Sequence, residues 1–217
     1  MTSTCDESNA IKISENGEDS LFFESGGRRI SPWQDIPLFV NPDSDVVNMI
    51  VEIPRQSKVK MEISKETYYN PIKPDSVKGQ SRQLSDIAPF RGYPCNYGAI
   101  SQTWESPNEI DDQTGISGDD DPLDVCEIGN VVAFCGQIRK VKPLGAFVVL
   151  DEGQTDWKIV AIGIDDPLAT KLSDIDDVER FLPGFLQALK GWHCRYKVPE
   201  GKDENTVALG GRLMNKQ

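Results

Sequence analysis

The sequence predicts an α+β protein: a twisted antiparallel sheet or small barrel, with helices packed late in the chain. Three observations carry that expectation. From Ser31-Pro32-Trp33 to about residue 164 the text consists of short apolar runs punctuated by Pro and Gly. Helical periodicity begins only after residue 173. The chain has 217 residues, 38% of them hydrophobic, which suits one core at roughly 150 residues per domain and excludes wholesale disorder.

Residues 1–30 are polar and acidic, with six carboxylates and one base, Lys12, among the first 25. They read as a loose arm with room for an edge strand, ahead of a folded domain at 31–217. Val47, Met49, Val51 and Ile53 alternate with Asn48, Ile50 and Glu52, a strand period. Residues 58–64 alternate more cleanly, with Val59, Met61 and Ile63 on one side and Lys58, Lys60, Glu62 and Ser64 on the other. A turn at 54–57 would pair the two runs and place Glu52, Lys60 and Glu62 on one polar face. Residues 131–142 read as one or two further strands. The runs 145–150 and 157–164 flank the turn-rich stretch 151–156, which predicts a hairpin. A helix is expected over 174–181 behind Ser173, with Asp176 in its acidic first turn. A second has Pro183 in its first turn and the apolar stripe Phe185, Leu189, Trp192, Tyr196.

The net charge of −12 repels phosphate backbones and argues against nucleic-acid binding. No run approaches the ~20 apolar residues of a membrane span. The N-terminal residues resemble neither a secretion signal nor a basic transit peptide. Five cysteines (Cys5, Cys95, Cys126, Cys135, Cys194) form no C-x-x-C pair, which fits free thiols in a reducing compartment and a cytoplasmic location, with an organelle such as a plastid or mitochondrion as the alternative. Cys126, Cys135, His193 and Cys194 match no zinc spacing. With His193 the one histidine, mechanisms needing several imidazoles are excluded.

Chemistry concentrates between Gly92 and Ile138, which hold nine carboxylates and no Lys, Arg or His. At the centre stands Asp119-Asp120-Asp121-Pro122-Leu123-Asp124. Carboxylates this dense raise one another's pKa unless a cation neutralises them, and hard divalent ions with oxygen ligands suit that task. An EF-hand does not fit, because Leu123, Asp124 and Asn130 fall at the fifth, sixth and twelfth positions. A solvated acidic loop is the alternative, although Pro122 and Leu123 give the run a fixed shape. Asp151 and Asp156 bracket the later hairpin beside Lys158. Lys60, Arg82, Tyr97, Lys158, Tyr196 and Lys197 supply cationic and phenolic groups. Carboxylates for metal with Lys, Arg and Tyr for oxyanions make the inventory of metal-assisted phosphoryl transfer. Singly, Tyr196 reads equally as core, Lys197 as a complement to a helix dipole, and Arg82 as a surface residue.

The run 119–125 resembles the D-x-D-P-x-D loop of the soluble, family I inorganic pyrophosphatases. Further matches are Gly92-Tyr93-Pro94-Cys95-Asn96-Tyr97-Gly98, Gln102-Thr103-Trp104-Glu105, Asp151-Glu152-Gly153-Gln154-Thr155-Asp156-Trp157-Lys158 and Arg195-Tyr196-Lys197-Val198-Pro199. They occur in order from Ser31 to about Asn215.

The resemblance implies a small, highly twisted antiparallel β-barrel, OB-like, with flanking helices. It implies Mg²⁺-dependent hydrolysis of pyrophosphate to two orthophosphates by direct attack of a water or hydroxide bridging two of several Mg²⁺ ions. Asp119, Asp124 and Asp156 would hold the first ion and Asp124 also the second. Asp151, Asp156 and Glu62 would hold those arriving with substrate. Asp121 would take the proton of the bridging water. Lys60, Arg82, Tyr97, Lys158, Tyr196 and Lys197 would contact the phosphates, with Glu52 and Tyr93 in support. A non-catalytic acidic Ca²⁺- or Mg²⁺-binding module and a nucleotide phosphohydrolase are the competing functions. Asp120 fills the loop's variable position, and Ser101 stands where many relatives have proline. Gln56 replaces an interface tryptophan of animal and fungal dimers, which favours a monomer over a homodimer. Relatives continue past position 217 into a helical segment, so packing at that end of the barrel is expected to differ. The acidic arm resembles the eukaryotic branch.

Overall fold

The structure, a computed structural model, describes residues 11–16, 20–77 and 79–216. Its first strands are β1 (Lys12–Asn16), β2 (Ser20–Ser25), β3 (Arg28–Ile30), β4 (Val47–Ile53), β5 (Met61–Ile63) and β6 (Ile72–Pro74). A small hairpin follows, β7 (Ser76–Val77) and β8 (Gln80–Ser81), and then β9 (Asn96–Ile100), β10 (Asp124–Glu127), β11 (Ile138–Asp151) and β12 (Gln154–Gly163). Helices α1 (Ile175–Phe181) and α2 (Phe185–Arg195) come next, before the short β13 (Thr206–Val207) and β14 (Met214–Asn215). The protein is mostly β with few helices.

The main sheet runs β12-β10-β9-β4-β11, and β11 pairs back onto β12, so the strands form a ring. Its pairings are antiparallel except β10 with β12, which is parallel and departs from the expected all-antiparallel sheet. Long β11 makes the ring possible. One edge follows β12, while the other is shared among β4, β14 and β13. A register shift between Pro143 and Gly145 bends it, as a bulge does. Strand alternation then divides side chains between two faces. Cys126, Val160 and Ile162 join Phe147, Leu144 and the helical residues Val178, Leu186, Leu189 and Trp192 in one cluster. Val125 and Ala161 join Val47, Met49, Val51, Ile100 and Val141 in another. Trp192 is 1% exposed, and truncating such a side chain costs about 3–5 kcal/mol.

A second sheet, ordered β1-β2-β6-β5 with β3 on β2, covers one side. The described part of the N-terminal segment is therefore not loose. Phe23 on β2 is fully buried against Ile36, Ile50, Ile63 and Ile72, and that burial ties the segment down; residues 1–10 and 17–19 lie outside the described residues.

Other expectations need correction. The run 58–64 is a strand only at Met61–Ile63, and it pairs with β6 rather than β4. Glu52 therefore does not share a paired polar face with Lys60 and Glu62; it is buried, and its carboxylate accepts from Ile63 N at 2.6 Å. Strand structure in 131–142 begins at Ile138. The later hairpin turns more tightly than expected, through Glu152 (φ 50°) and Gly153 (φ 87°) alone, the paired positive φ values of a type I′ turn. Helix α1 is capped by Asp174 instead of Ser173: its Oδ1 accepts from Asp176 N at 3.0 Å, while Ser173 N donates back to Asp177 at 2.7 Å. Pro183 precedes the Gly184 cap of α2 rather than entering the helix. Among the described residues, no helix is long and apolar enough to cross a membrane, and Cys95, Cys126, Cys135 and Cys194 are free.

Candidate active site

One cavity of about 550 Å³ opens where the ring, the second sheet and the end of α2 meet. Every residue to which the sequence gives a catalytic, metal, substrate or supporting role lines it: Glu52, Lys60, Glu62, Arg82, Tyr93, Tyr97, Asp119, Asp121, Asp124, Asp151, Asp156, Lys158, Tyr196 and Lys197.

Strand register explains the convergence. Parallel pairing sets Asp124 of β10 opposite Lys158 of β12, and Asp156 lies two residues back on the same face. On the other flank Tyr97 of β9 pairs with Cys126, which puts it diagonally beside Asp124. Lys158 Nζ accordingly donates to Asp124 Oδ2, to Asp156 Oδ1 at 2.5 Å and to the Tyr97 hydroxyl at 2.9 Å, and that hydroxyl donates to Asp124. Burial alone would lower the Lys158 pKa, but Asp124 and Asp156 outweigh it and hold the ammonium well above its ordinary value. Burial pushes the phenols of Tyr93 and Tyr97 well up.

The acidic loop is a turn rather than an extended segment. Asp120 adopts φ 70°, and Asp119 Oδ1 accepts from Asp121 N at 3.0 Å. The loop packs on Glu105: Glu105 N donates to Asp121 O at 2.8 Å, and Asp120 N to Glu105 O at 2.9 Å. Gly118 allows this approach, since a Cβ there would lie 2.5 Å from the Glu105 carbonyl carbon. Asp120 points outward, taking hydrogen bonds from Trp104 Nε1 at 2.9 Å and from Lys65.

Glu105 was quoted in a motif but not singled out. It is 8% exposed, its Oε1 accepts from Trp157 N at 3.0 Å, and its Oε2 has no hydrogen-bond partner. Carboxylate oxygens of Glu105, Asp119 and Asp156 lie within 4.8 Å of one another. Burial, with Asp156 and Asp119 adding to it, pushes Glu105 up to about 9. Burial and the neighbouring Asp121 and Asp124 push Asp119 up to about 6. Asp156 is also shifted up, by burial first, against the pull of Lys158. Two buried acids and a half-buried one, with an orphaned oxygen among them, are the donor set of a hard divalent cation, so the residues present fit Mg²⁺.

Further cations of the cavity are each paired with an acid. Lys60 pairs with Glu62 at 2.9 Å and Asp75 at 3.2 Å. Arg82 meets Asp75 at 3.1 Å and Glu200 at 2.7 Å. Lys197 reaches Asp151 at 2.5 Å, and the Tyr196 hydroxyl donates to the same carboxylate at 3.3 Å. Lys65, which the sequence offered as nothing special, pairs with Asp121 at 2.8 Å.

A pocket that sets a carboxylate cage against lysines, an arginine and phenols defines a class: proteins that bind divalent cations and a phosphate-bearing anion together. The family profile "Inorganic pyrophosphatase" matches residues 49–216. The inorganic pyrophosphatase of Emericella nidulans is 51% identical over 200 residues, 92% of this chain and 70% of that one. That of Debaryomyces hansenii is 51% identical over 197 residues, 91% and 69% of the two chains. The inorganic pyrophosphatase structure from Schistosoma japonicum superposes with a TM-score of 0.91 at 45% identity, covering 95% of this chain and 74% of that chain. An N-terminally truncated Trypanosoma cruzi vacuolar soluble pyrophosphatase in complex with PPi gives 0.84 at 35% identity, covering 95% and 84%. The chain belongs to the inorganic pyrophosphatase family.

Proposed function

We propose that this chain hydrolyses inorganic pyrophosphate to two orthophosphates with several Mg²⁺ ions. Family membership supports the activity, and the Glu105–Asp119–Asp156 cluster facing Lys158 and Tyr97 is the observation that carries the metal-dependent form of it. Asp119, Asp124 and Asp156, joined by Glu105, would hold one part of the metal set; Asp151 and Glu62 would hold ions that enter with the substrate. Bound Mg²⁺ supplies a lowered water pKa and neutralises phosphate charge.

The chain's own groups do the rest. Lys60, Tyr97 and Lys158 orient the phosphoryl group under attack. Asp121 accepts the proton of the attacking water as its oxygen bonds to phosphorus and the bridging P–O bond breaks. Arg82, Tyr196 and Lys197 neutralise the departing phosphate. Glu52 and Tyr93 brace the site, Glu52 by taking the Ile63 amide.

The strand ring is read as an OB-like small barrel spanning 31–217, with 1–30 as an N-terminal extension to it. The free thiols support a cytoplasmic setting. The net charge of −12 favours no nucleic acid as partner, and a monomer is the proposed state. Phosphate release from pyrophosphate, with Mg²⁺ and with EDTA, tests the proposal; equal release in both would overturn it.

A further inference from the structure

We propose that Glu200 is a positioning residue that sets the Arg82 guanidinium for the leaving phosphate. The inference deepens the pyrophosphatase reading and rests on it. Glu200 ends a 3-10 turn, Val198–Glu200, that begins directly after Lys197. Its carboxylate accepts from Arg82 Nε (3.0 and 3.1 Å) and from Arg82 Nη2 at 2.7 Å, across 118 residues of sequence. Asp75 accepts from Nη1 at 3.1 Å. A guanidinium has five N–H donors. These two acids take three, leaving one on each terminal nitrogen, the pair that meets two oxygens of a phosphate side by side.

The backbone makes the clamp meaningful. Arg82 N donates to Asp75 O at 2.7 Å and Lys60 N donates to Arg82 O at 3.0 Å, so the Arg82 main chain is pinned beside Lys60. Its long side chain is fixed from the opposite wall. That wall is the short stretch 196–200, where Pro199 stiffens the turn and Gly201 (φ 84°) closes it. Tyr196 and Lys197 lie on the same stretch, and the Arg82 Cζ sits 6.0 Å from the Tyr196 ring centroid. Glu200 thus joins the two halves of the phosphate cradle, and the guanidinium is ordered before the anion arrives, which removes an ordering cost from binding.

The test is steady-state kinetics on Mg²⁺–pyrophosphate, with thermal melts, for Glu200→Gln and Glu200→Asp alone and in an Arg82→Lys background. Gln keeps the size but loses one acceptor; Asp keeps both oxygens. Glu200→Gln is expected to raise KM about three- to tenfold while kcat stays within about twofold and the melting temperature is unchanged. Glu200→Asp should recover most of that loss, and in the Arg82→Lys background the Gln effect should largely vanish, because it acts through the guanidinium. An unchanged or lowered KM, or an equal effect in both backgrounds, would overturn the proposal. A wild-type chain inactive on pyrophosphate would instead overturn the functional reading beneath it.

Discussion

Asp119 and its neighbour Asp120 point into opposite surroundings. Asp119 faces the buried oxygens of Glu105 and Asp156, whereas Asp120 is held outside by Trp104 Nε1 at 2.9 Å and by Lys65. The divergence follows from the left-handed backbone at Asp120, φ 70°, not from strand alternation.

The acidic loop therefore serves as its own control. Asp121→Asn removes the proposed proton acceptor and should lower kcat about 10²- to 10⁴-fold. Asp120→Asn should leave kcat within a few-fold, since it loses a surface contact with Lys65 and keeps an acceptor for Trp104. Turnover of both variants, with circular dichroism to confirm folding, decides; equal losses would remove the distinction between the two positions.

Arg82→Lys retains the charge and loses the fork. Glu200 is met by two guanidinium nitrogens, Nε and Nη2, while Asp75 takes Nη1, and a single ammonium cannot reproduce that fork. The fold should persist and kcat/KM should fall at least tenfold, about 1.4 kcal/mol. An unchanged kcat/KM would leave Arg82 a structural partner of Asp75 and Glu200 with no part in turnover.

Metal choice should separate binding from turnover. Mg²⁺ is expected to support hydrolysis of pyrophosphate far better than of ATP. Ca²⁺, larger and looser in geometry, should bind the same acids yet support little reaction. Calorimetric titration alongside phosphate release would expose a Ca²⁺ that fails to bind, the outcome against this.

The cation-free protein should lose stability as pH rises. Glu105 moves from an ordinary 4.5 to about 9 and Asp119 from 3.8 to about 6, so the folded state holds protons that the unfolded chain has released. With acids shifted upward, the contribution is fully present below the unfolded values and is lost as pH climbs through the folded ones. Melting in EDTA should therefore weaken from near pH 4.5 to pH 9, most steeply between about pH 4.5 and 6, where both acids keep a proton only in the folded state, and should level off once Glu105 ionises near pH 9. Mg²⁺ should oppose the trend, releasing protons on binding. Glu105→Gln should flatten the EDTA profile; a profile as steep as wild type would show that Glu105 is not its source.

Assembly is the remaining expectation. Gln56 is exposed on the turn after β4, with φ 69° and its N–H held by Tyr93 O at 2.9 Å. It offers no large apolar anchor there. Light scattering should find a monomer, and a tight dimer weakened by Gln56→Ala would contradict this.

Much of this was legible because local patterns carried it. Val47–Ile53, the 145–164 hairpin and the two late helices each follow from their own periodicity and turn chemistry. The density of the run 119–124 marked it as a candidate metal loop, and its resemblance to the family's D-x-D-P-x-D loop picked out Asp119, Asp121 and Asp124. What remained hidden depends on non-local pairing. Period two marks 58–64 as strand-like but says nothing of its partner, and β6 rather than β4 supplies it. Glu105 carries no signal beyond its motif, because its burial and its bond from Trp157 N, 52 residues later, arise only in the fold. Glu200 is an unremarkable acid until the 3-10 turn brings it to Arg82.

The parallel pairing of β10 with β12 also bears on the order in which the molecule is built. The β11–β12 hairpin closes through a two-residue turn and needs only local contacts, whereas Asp124 meets Lys158 across 34 residues. Contact order predicts that, during refolding, Asp156 reaches its strand before Asp124 arrives beside it. A cage completed only at that late step gives Mg²⁺ little to grip in the rate-limiting transition state. The ion should therefore act chiefly as a brake on unfolding and leave the rate of refolding almost untouched.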